Sequence, residues 1–158
     1  MKRILVVLTL LSVISLSYAD WPVGVEAGAG YVLADNDNHL FINGSTLIKI
    51  KNNIYARLQL ARLSFHSGNT IIDIGTMTPI DLMMFFESQT FNPYGLAGIN
   101  LRTGGGSTSF DARVGGGVEF KLNEARFYPF VEAILDLYDS NRSDLHNAVT
   151  LKGGIRIK

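Results

Sequence analysis

Three histidines, His39, His66 and His146, stand in or beside polar stretches, and imidazole is the side chain most ready to bind a metal or move a proton near neutral pH. Brought together they could hold a cation; left apart on polar loops, each is simply solvated. Ser64 and His66 share one face if their segment is a strand, the placement a nucleophile and its general base need. No acidic residue can be assigned to orient that imidazole. "DNDNH", Asp35 to His39, begins like a calcium loop but offers Leu40 where glycine is needed and Thr46 where a bidentate glutamate should stand, so it reads as a turn. "TGGGSTS", Thr103 to Ser109, lacks the Gly-Lys-Ser/Thr ending of a phosphate loop and reads as a flexible tip. These motifs predict no catalytic residue, no cofactor and no metal site.

The elements that would position such groups are more informative. In "FDARVGGGVEFK", Asp111, Arg113, Gly115, Gly117, Glu119 and Lys121 alternate with Phe110, Ala112, Val114, Gly116, Val118 and Phe120. Strand geometry sends successive side chains to opposite faces, so one face is ionic and the other apolar. From Trp21 onward the chain repeats this pattern, with no convincing period of 3.6 residues. The predicted strands are Val23 to Leu33, Leu40 to Ile50, Ile54 to Leu63, Thr78 to Glu87, Tyr94 to Arg102, Phe110 to Lys121, Phe130 to Tyr138 and Ala148 to Lys158. Each is close to the ~9–11 residues a tilted strand needs to cross a bilayer. The linkers "ADNDN", "HSGNT", "TGGGSTS" and "DSNRSDLH" are polar and longer, whereas "KNN", "SQTFN" and "LNEAR" are tight or carry an aromatic. They alternate, as they do in an up-and-down barrel with both termini on the short-turn side. Ile71 to Met77 is predicted to form a hairpin extension above the membrane, with Pro79 at its rim, because proline cannot donate to a ladder.

The chain opens "MKRILVVLTLLSVISLSYA": a basic pair, an apolar run of about 13 residues and a small-x-small end, the pattern of a secretory signal peptide cleaved after Ala19. Residues 20–158 are then one domain. Two of the 14 basic residues and none of the 14 acidic ones lie in the leader, so the remainder is slightly acidic and offers no basic field for nucleic acid. Cysteine is absent, which excludes a disulfide framework and an acylated N-terminal cysteine.

Which face meets hydrocarbon is decided by three features. Gly24, Gly28 and Gly30 share the face of Glu26, and Gly115 and Gly117 that of Arg113. Glycine weakens a solvated strand, but it makes room inside an eight-stranded barrel, whose interior is just wide enough for side chains to fill. The ionic face is also nearly balanced: Lys49, Arg57, Arg102, Arg113, Lys121, Lys152 and Arg156 against Glu26, Asp81, Asp111, Glu119, Glu132 and Asp136. Buried charges are tolerated when paired, so these residues predict an ion-pair network filling the lumen. Finally, aromatics gather near strand ends: Trp21, Tyr55, Phe85, Phe86, Phe91, Tyr94, Phe120, Phe127, Tyr128 and Phe130 toward the short turns, and Tyr31, Phe41, Phe65, Phe110 and Tyr138 toward the long ones. Two aromatic girdles around an aliphatic band are what membrane interfaces select. Pro22, Pro93 and Pro129 are each expected to begin an upward strand.

"FNPYGLAGINL", Phe91 to Leu101, "RVGGGVEFKLNEARFYPFVEAILDLY", Arg113 to Tyr138, and "VTLKGGIRIK", Val149 to Lys158, together resemble the small bacterial outer-membrane β-barrel family that includes OmpX-like and OmpW-like proteins. The resemblance implies an integral protein of a Gram-negative-type outer membrane, bordered by its lipids and inserted by the barrel-insertion machinery. Family members usually end in an outward-facing aromatic; with Val149, Leu151, Ile155 and Ile157 facing outward, that residue would follow Lys158. The Ser64 and His66 spacing is similar to that of barrel enzymes that deacylate or acylate lipid A, without their flanking pattern. The expectation is thus an all-β, eight-stranded antiparallel transmembrane barrel, monomeric and non-enzymatic, with a structural or surface-interaction role. Alternatives are a small pore, a soluble periplasmic lipocalin-like carrier and a lipid A-modifying enzyme.

Overall fold

The computed structural model describes residues 23–34, 38–74, 77–104, 107–122, 126–137 and 147–158, with the side chains of 77–78, 102–104 and 107–109 excepted. The described segments are antiparallel strands: β1 (Val23–Leu33), β2 (His39–Lys51), β3 (Ile54–His66), β4 (Asn69–Ile74), β5 (Met77–Phe85), β6 (Phe91–Gly104), β7 (Ser107–Phe120), β8 (Phe127–Leu137) and β9 (Ala148–Ile157). Each pairs with a neighbour in sequence, and β1 also pairs with β9, so the sheet closes on itself. β4 and β5 run in the same direction along β3, β4 beside its upper half (Ala61↔Ile74) and β5 beside its lower half (Leu58↔Ile80). They form one interrupted stave, and the barrel has eight.

The interruption lies where proline and an over-long apolar run predict a hairpin extension. β4 indeed returns along β3 through the Ser67–Gly68 turn, where Gly68 takes a φ of 84° that a side chain would oppose. Because β4 and β5 share one direction, strand parity survives, and both described ends of the barrel sit with the β2–β3, β5–β6 and β7–β8 turns at one end, called lower here. Pro79 is not at a rim but within β5, opposite Asn100. Likewise Pro93 and Pro129 lie inside β6 and β8, opposite Val118 and Ile155, since these strands start at Phe91 and Phe127 and not at Tyr94 and Phe130. Pro22, the leader and its cleavage site lie outside the described residues.

Alternation of burial follows the pleat. On β8, Phe130 is 2% exposed, Val131 54%, and Glu132 5%. A bulge in β3, where Gln59 faces Ser45 but Ala61 faces Gly44, shifts the phase by one, so that Arg57 and then Arg62, Ser64 and His66 all point inward. The outward face carries half-exposed Ile42, Leu82, Ile99, Val131, Leu151 and Ile155. In water so continuous an apolar surface would drive association; hydrocarbon satisfies it. No described helix is long and apolar enough to cross a membrane.

The lumen is filled in layers. Leu47, Met83, Phe85, Tyr94, Leu96 and Ile134 form one apolar cluster, with Tyr55 against it, and Val32, Phe41 and Ala148 form another toward the upper end. Charged side chains occupy the space among and between them.

Candidate functional site

The inward charges converge on the barrel axis. Each is carried by a strand whose alternation fixes its direction, and the register places small residues opposite large ones: Asp81 faces Gly98, Glu132 faces Gly117, and Lys152 faces Gly30. Glu26 on β1 accepts hydrogen bonds from Lys152 Nζ at 2.7 Å, Arg156 Nε at 2.7 Å and, more weakly, Arg57 Nη1 at 3.4 Å. Arg57 also donates to Glu132 at 2.8 Å and to Asp81 at 2.7 and 2.9 Å. Lys152 Nζ lies 2.8 Å from Glu132 as well. Arg156 reaches Tyr94 Oη at 2.9 Å, Glu132 at 3.2 Å and Glu119 at 3.5 Å.

Aromatic rings complete the packing around these cations. The Arg156 guanidinium lies 3.9 Å from the centre of the Phe130 ring and 4.5 Å from that of Tyr94. At the lower end Lys158 Nζ pairs with Glu119 at 2.6 Å and stands 3.8 Å over Phe85. Glu119 and Arg156 are as fully buried as Leu47 and Met83, and Arg57 and Glu132 nearly so. Charges this deep persist only when each has several partners, which every one of these has. Higher up, Arg113 Nε lies 3.2 Å from Asp81 and 3.5 Å from Asp136, within ion-pair reach though out of line for a hydrogen bond. Asp111 is buried on the same face, one pleat above Arg113.

Two residues expected to point inward do not join this network: Lys49 is exposed toward the lower end of β2, and Lys121 leaves the alternation. Lys121 lies beyond the end of β7, where strand alternation no longer directs it, and its Nζ donates to the Ser88 carbonyl at the exposed lower end. The Arg102 side chain lies outside the described ones; its backbone pairs with Met77 and Ser109.

The aromatic girdles need more correction. Tyr31, Phe65 and Phe110 project outward toward the upper end and Phe120 toward the lower, where Phe86, Phe91 and Phe127 are also exposed. Phe41, Tyr94 and Phe130, expected in the girdles, are instead buried in the lumen, and Tyr55 packs against the inner cluster with its ring 5.3 Å from Phe85, itself buried. Their height near a strand end matches the expectation and their face does not. The signal is present in the sequence: Tyr55 is one pleat from Arg57, Phe130 one from Glu132, Tyr94 two from Gly98 and Phe85 two from Asp81. Trp21 and Tyr138 lie outside the described residues.

Neighbouring backbone and inward rings together explain the glycines better than charge alone does. A Cβ on Gly117 would meet the Val131 carbonyl and also Tyr94 Oη at 2.5 Å, one on Gly154 the Ala27 carbonyl and also the Phe130 ring at 2.9 Å, and one on Gly30 the Leu151 carbonyl and also Phe41 at 2.8 Å. Tyr94, Phe130 and Phe41 each lie over a glycine of a neighbouring stave, so the glycines seat aromatic rings that in turn seat the cations.

At the upper end, His39 on β2 and His66 on β3 stack with ring centroids 4.1 Å apart. Arg62 Nη2 lies 2.9 Å from His39 Nε2, its Nε donates to Ser64 Oγ at 3.1 Å, and its guanidinium covers Phe41 at 4.2 Å. Ser64 and His66 therefore share a face, as their spacing requires, but the serine oxygen is engaged by a guanidinium. His146 lies outside the described residues, as do residues 35–37 of "DNDNH" and 105–106 of "TGGGSTS". Asn38 Oδ1 accepts from the Ala34 amide at 3.0 Å, which ties the two described flanks of the first of these loops together. Among the described residues no group of three or more His, Asp or Glu is placed to hold a metal.

No protein-family model matches the chain, and neither does any curated protein sequence. Solved structures do. Neisserial surface protein A matches with a TM-score of 0.63 at 15% identity over 87% of this chain and 97% of that one. The N-terminal β-barrel domain of Pseudomonas aeruginosa OprF gives 0.54 at 15% identity, covering 85% and 97%, and the outer-membrane enzyme PagL gives 0.51 at 15% identity, covering 85% and 99%. Likeness at this identity speaks to fold: the chain has the closed, eight-stranded antiparallel architecture of the small outer-membrane β-barrels.

Proposed function

We propose that this protein is an integral outer-membrane β-barrel of structural or surface-interactive role: a rigid cylinder, sealed by its own side chains, that presents its upper turns outside the cell. The observation that carries this reading is the pairing of an outward aliphatic belt with an inward, mutually neutralised set of charges. Its immediate partners are the lipids around that belt and, during biogenesis, the barrel-insertion machinery. The export segment read at residues 1–19 and the resemblance to OmpX-like and OmpW-like proteins support the same compartment. Closure of the sheet through β1 and β9 leaves no edge to pair with a second copy, which supports a monomer.

The pore reading is disfavoured by ion pairs that cross the lumen, and the carrier reading by a centre that is ionic and filled. The likeness to the outer-membrane enzyme PagL leaves an enzyme reading open, but the Ser64 hydroxyl faces Arg62. The test is migration of the membrane fraction on a denaturing gel with and without boiling. A folded barrel shifts on heating and is absent from the soluble periplasm; recovery without detergent would favour the carrier. Release of fatty acid from lipopolysaccharide by the refolded protein, lost in His66→Ala, would favour the enzyme.

A further inference from the structure

Two cations in the lower barrel are boxed by aromatic rings, and they differ in access. Arg156 is wholly buried against Phe130 and Tyr94. Lys158, one residue past β9, sends its side chain into the lower mouth and keeps 16% of it exposed there. Its Nζ stands 3.8 Å from the centre of the Phe85 ring, 4.9 Å from that of Tyr55 and 5.4 Å from that of Tyr128, all within the ~6 Å over which a ring attracts a cation. Glu119, with none of its surface exposed, completes the box: Nζ donates to its Oε1 at 2.9 Å and lies 2.6 Å from Oε2. The four walls come from β3, β5, β7 and β8, so four staves converge on an ammonium that none of them supplies.

The walls are held without their occupant. Phe85 belongs to the apolar cluster of Leu47 and Met83, and Tyr55 meets it edge-on at 5.3 Å. Glu119 is also held by Arg156 at 3.5 Å and by Asn92 Nδ2 at 3.4 Å. A site built before its ligand arrives does not spend binding energy on ordering itself.

We propose that Tyr55, Phe85, Tyr128 and Glu119 form a binding site for a primary alkylammonium group at the lower mouth of the barrel, and that Lys158 is its resident occupant, displaced by a ligand with the same head group. The rings attract any organic cation, whereas Glu119 discriminates among them. A primary ammonium brings three N–H donors on a slender stem; a quaternary one brings none and leaves the buried carboxylate short of a hydrogen bond. Because Lys158 is tethered, it competes at an effective concentration on the order of millimolar. The site is therefore closed to dilute amines and answers to concentrated ones.

Lys158→Ala empties the box and leaves its walls in place. The full-length variant is refolded in detergent, its heat-shifted band is verified, and n-propylammonium, the part of the lysine side chain that alanine lacks, is titrated against the ring NMR signals of Tyr55 and Tyr128. Saturable shifts are expected, with affinity weaker by about tenfold or more when Lys158 is present to compete, as in the wild type. Tetramethylammonium should bind the variant more weakly than n-propylammonium does. No saturable shift in the folded variant, or equal binding by variant and wild type, overturns the proposal; equal affinity for the two cations overturns selection by Glu119. Occupancy is also read in the unaltered protein, from the rates at which its lysines react with a water-soluble acylating reagent, resolved by peptide mapping. Lys158 should react several-fold more slowly than exposed Lys51. Equal rates overturn the proposal whether or not the variant folds, and neither measurement depends on which membrane surrounds the barrel.

Discussion

Arg57 on β3 and Glu132 on β8 are separated by half the circumference of the barrel, and Arg57 Nη1 lies 2.8 Å from both carboxylate oxygens. The contact spans the lumen and ties opposite walls together. Breaking a buried pair from one side leaves an uncompensated charge, so Glu132→Ala is expected to destabilise the barrel by about 3–5 kcal/mol. Reversible urea unfolding in lipid vesicles checks it. Removing both ends in Arg57→Met/Glu132→Leu should lose less than the two single changes combined, with a coupling of about 0.5–3 kcal/mol.

Gly117 is the seat of Tyr94, whose oxygen also receives Arg156. Gly117→Val should destabilise by about 1–3 kcal/mol, because the new side chain meets both the Val131 carbonyl and the Tyr94 ring. Gly95, on the outward face of β6, has nothing within 4 Å of an added Cβ, so Gly95→Val should be neutral or stabilising in the same assay. Equal effects at the two positions would contradict the ring-on-glycine account.

Ion pairs that cross the lumen have an electrical consequence. Wild-type protein in a planar bilayer should give no discrete conductance steps. Arg57→Ala/Arg156→Ala removes the two guanidiniums that cross the axis while Glu26, Asp81, Glu119 and Glu132 remain. Any leak that then appears should prefer cations, read from the reversal potential in a salt gradient.

Position on the outer wall should determine tolerance to charge. Val131→Arg places a guanidinium in the aliphatic belt and should destabilise by about 2–4 kcal/mol in vesicles. Leu122→Arg, exposed beyond the lower end of β7, should be nearly silent.

Most of the fold is legible in the sequence because a period of two is a strong signal when one face is ionic. Asp111, Arg113 and Glu119 on one strand and Glu26 on another identify the same interior independently, and that constraint survives the division of one stave into β4 and β5. The ion pairs are legible as a set but not as partners, since register across the lumen joins residues such as Arg57 and Glu132 that no local pattern connects. The inward rings are harder, because their nearness to a strand end argues for a girdle while their phase argues for the lumen. Phe130 and Tyr55 stand one pleat from a buried charge, and the pleat fixes the face more firmly than the height does. The clustering of His39, His66 and Arg62 depends on the β3 bulge, and a single unpaired residue leaves no mark in the sequence pattern.

The central claim is that the belt bearing Val131 meets hydrocarbon while its neighbours Phe130 and Glu132 do not. It is tested most directly by moving the chain's single tryptophan: Trp21→Phe with Val131→Trp, refolded into vesicles whose acyl chains carry bromine. Strong quenching by the brominated lipid and little by aqueous acrylamide is the predicted result; quenching by acrylamide and not by bromine would contradict it.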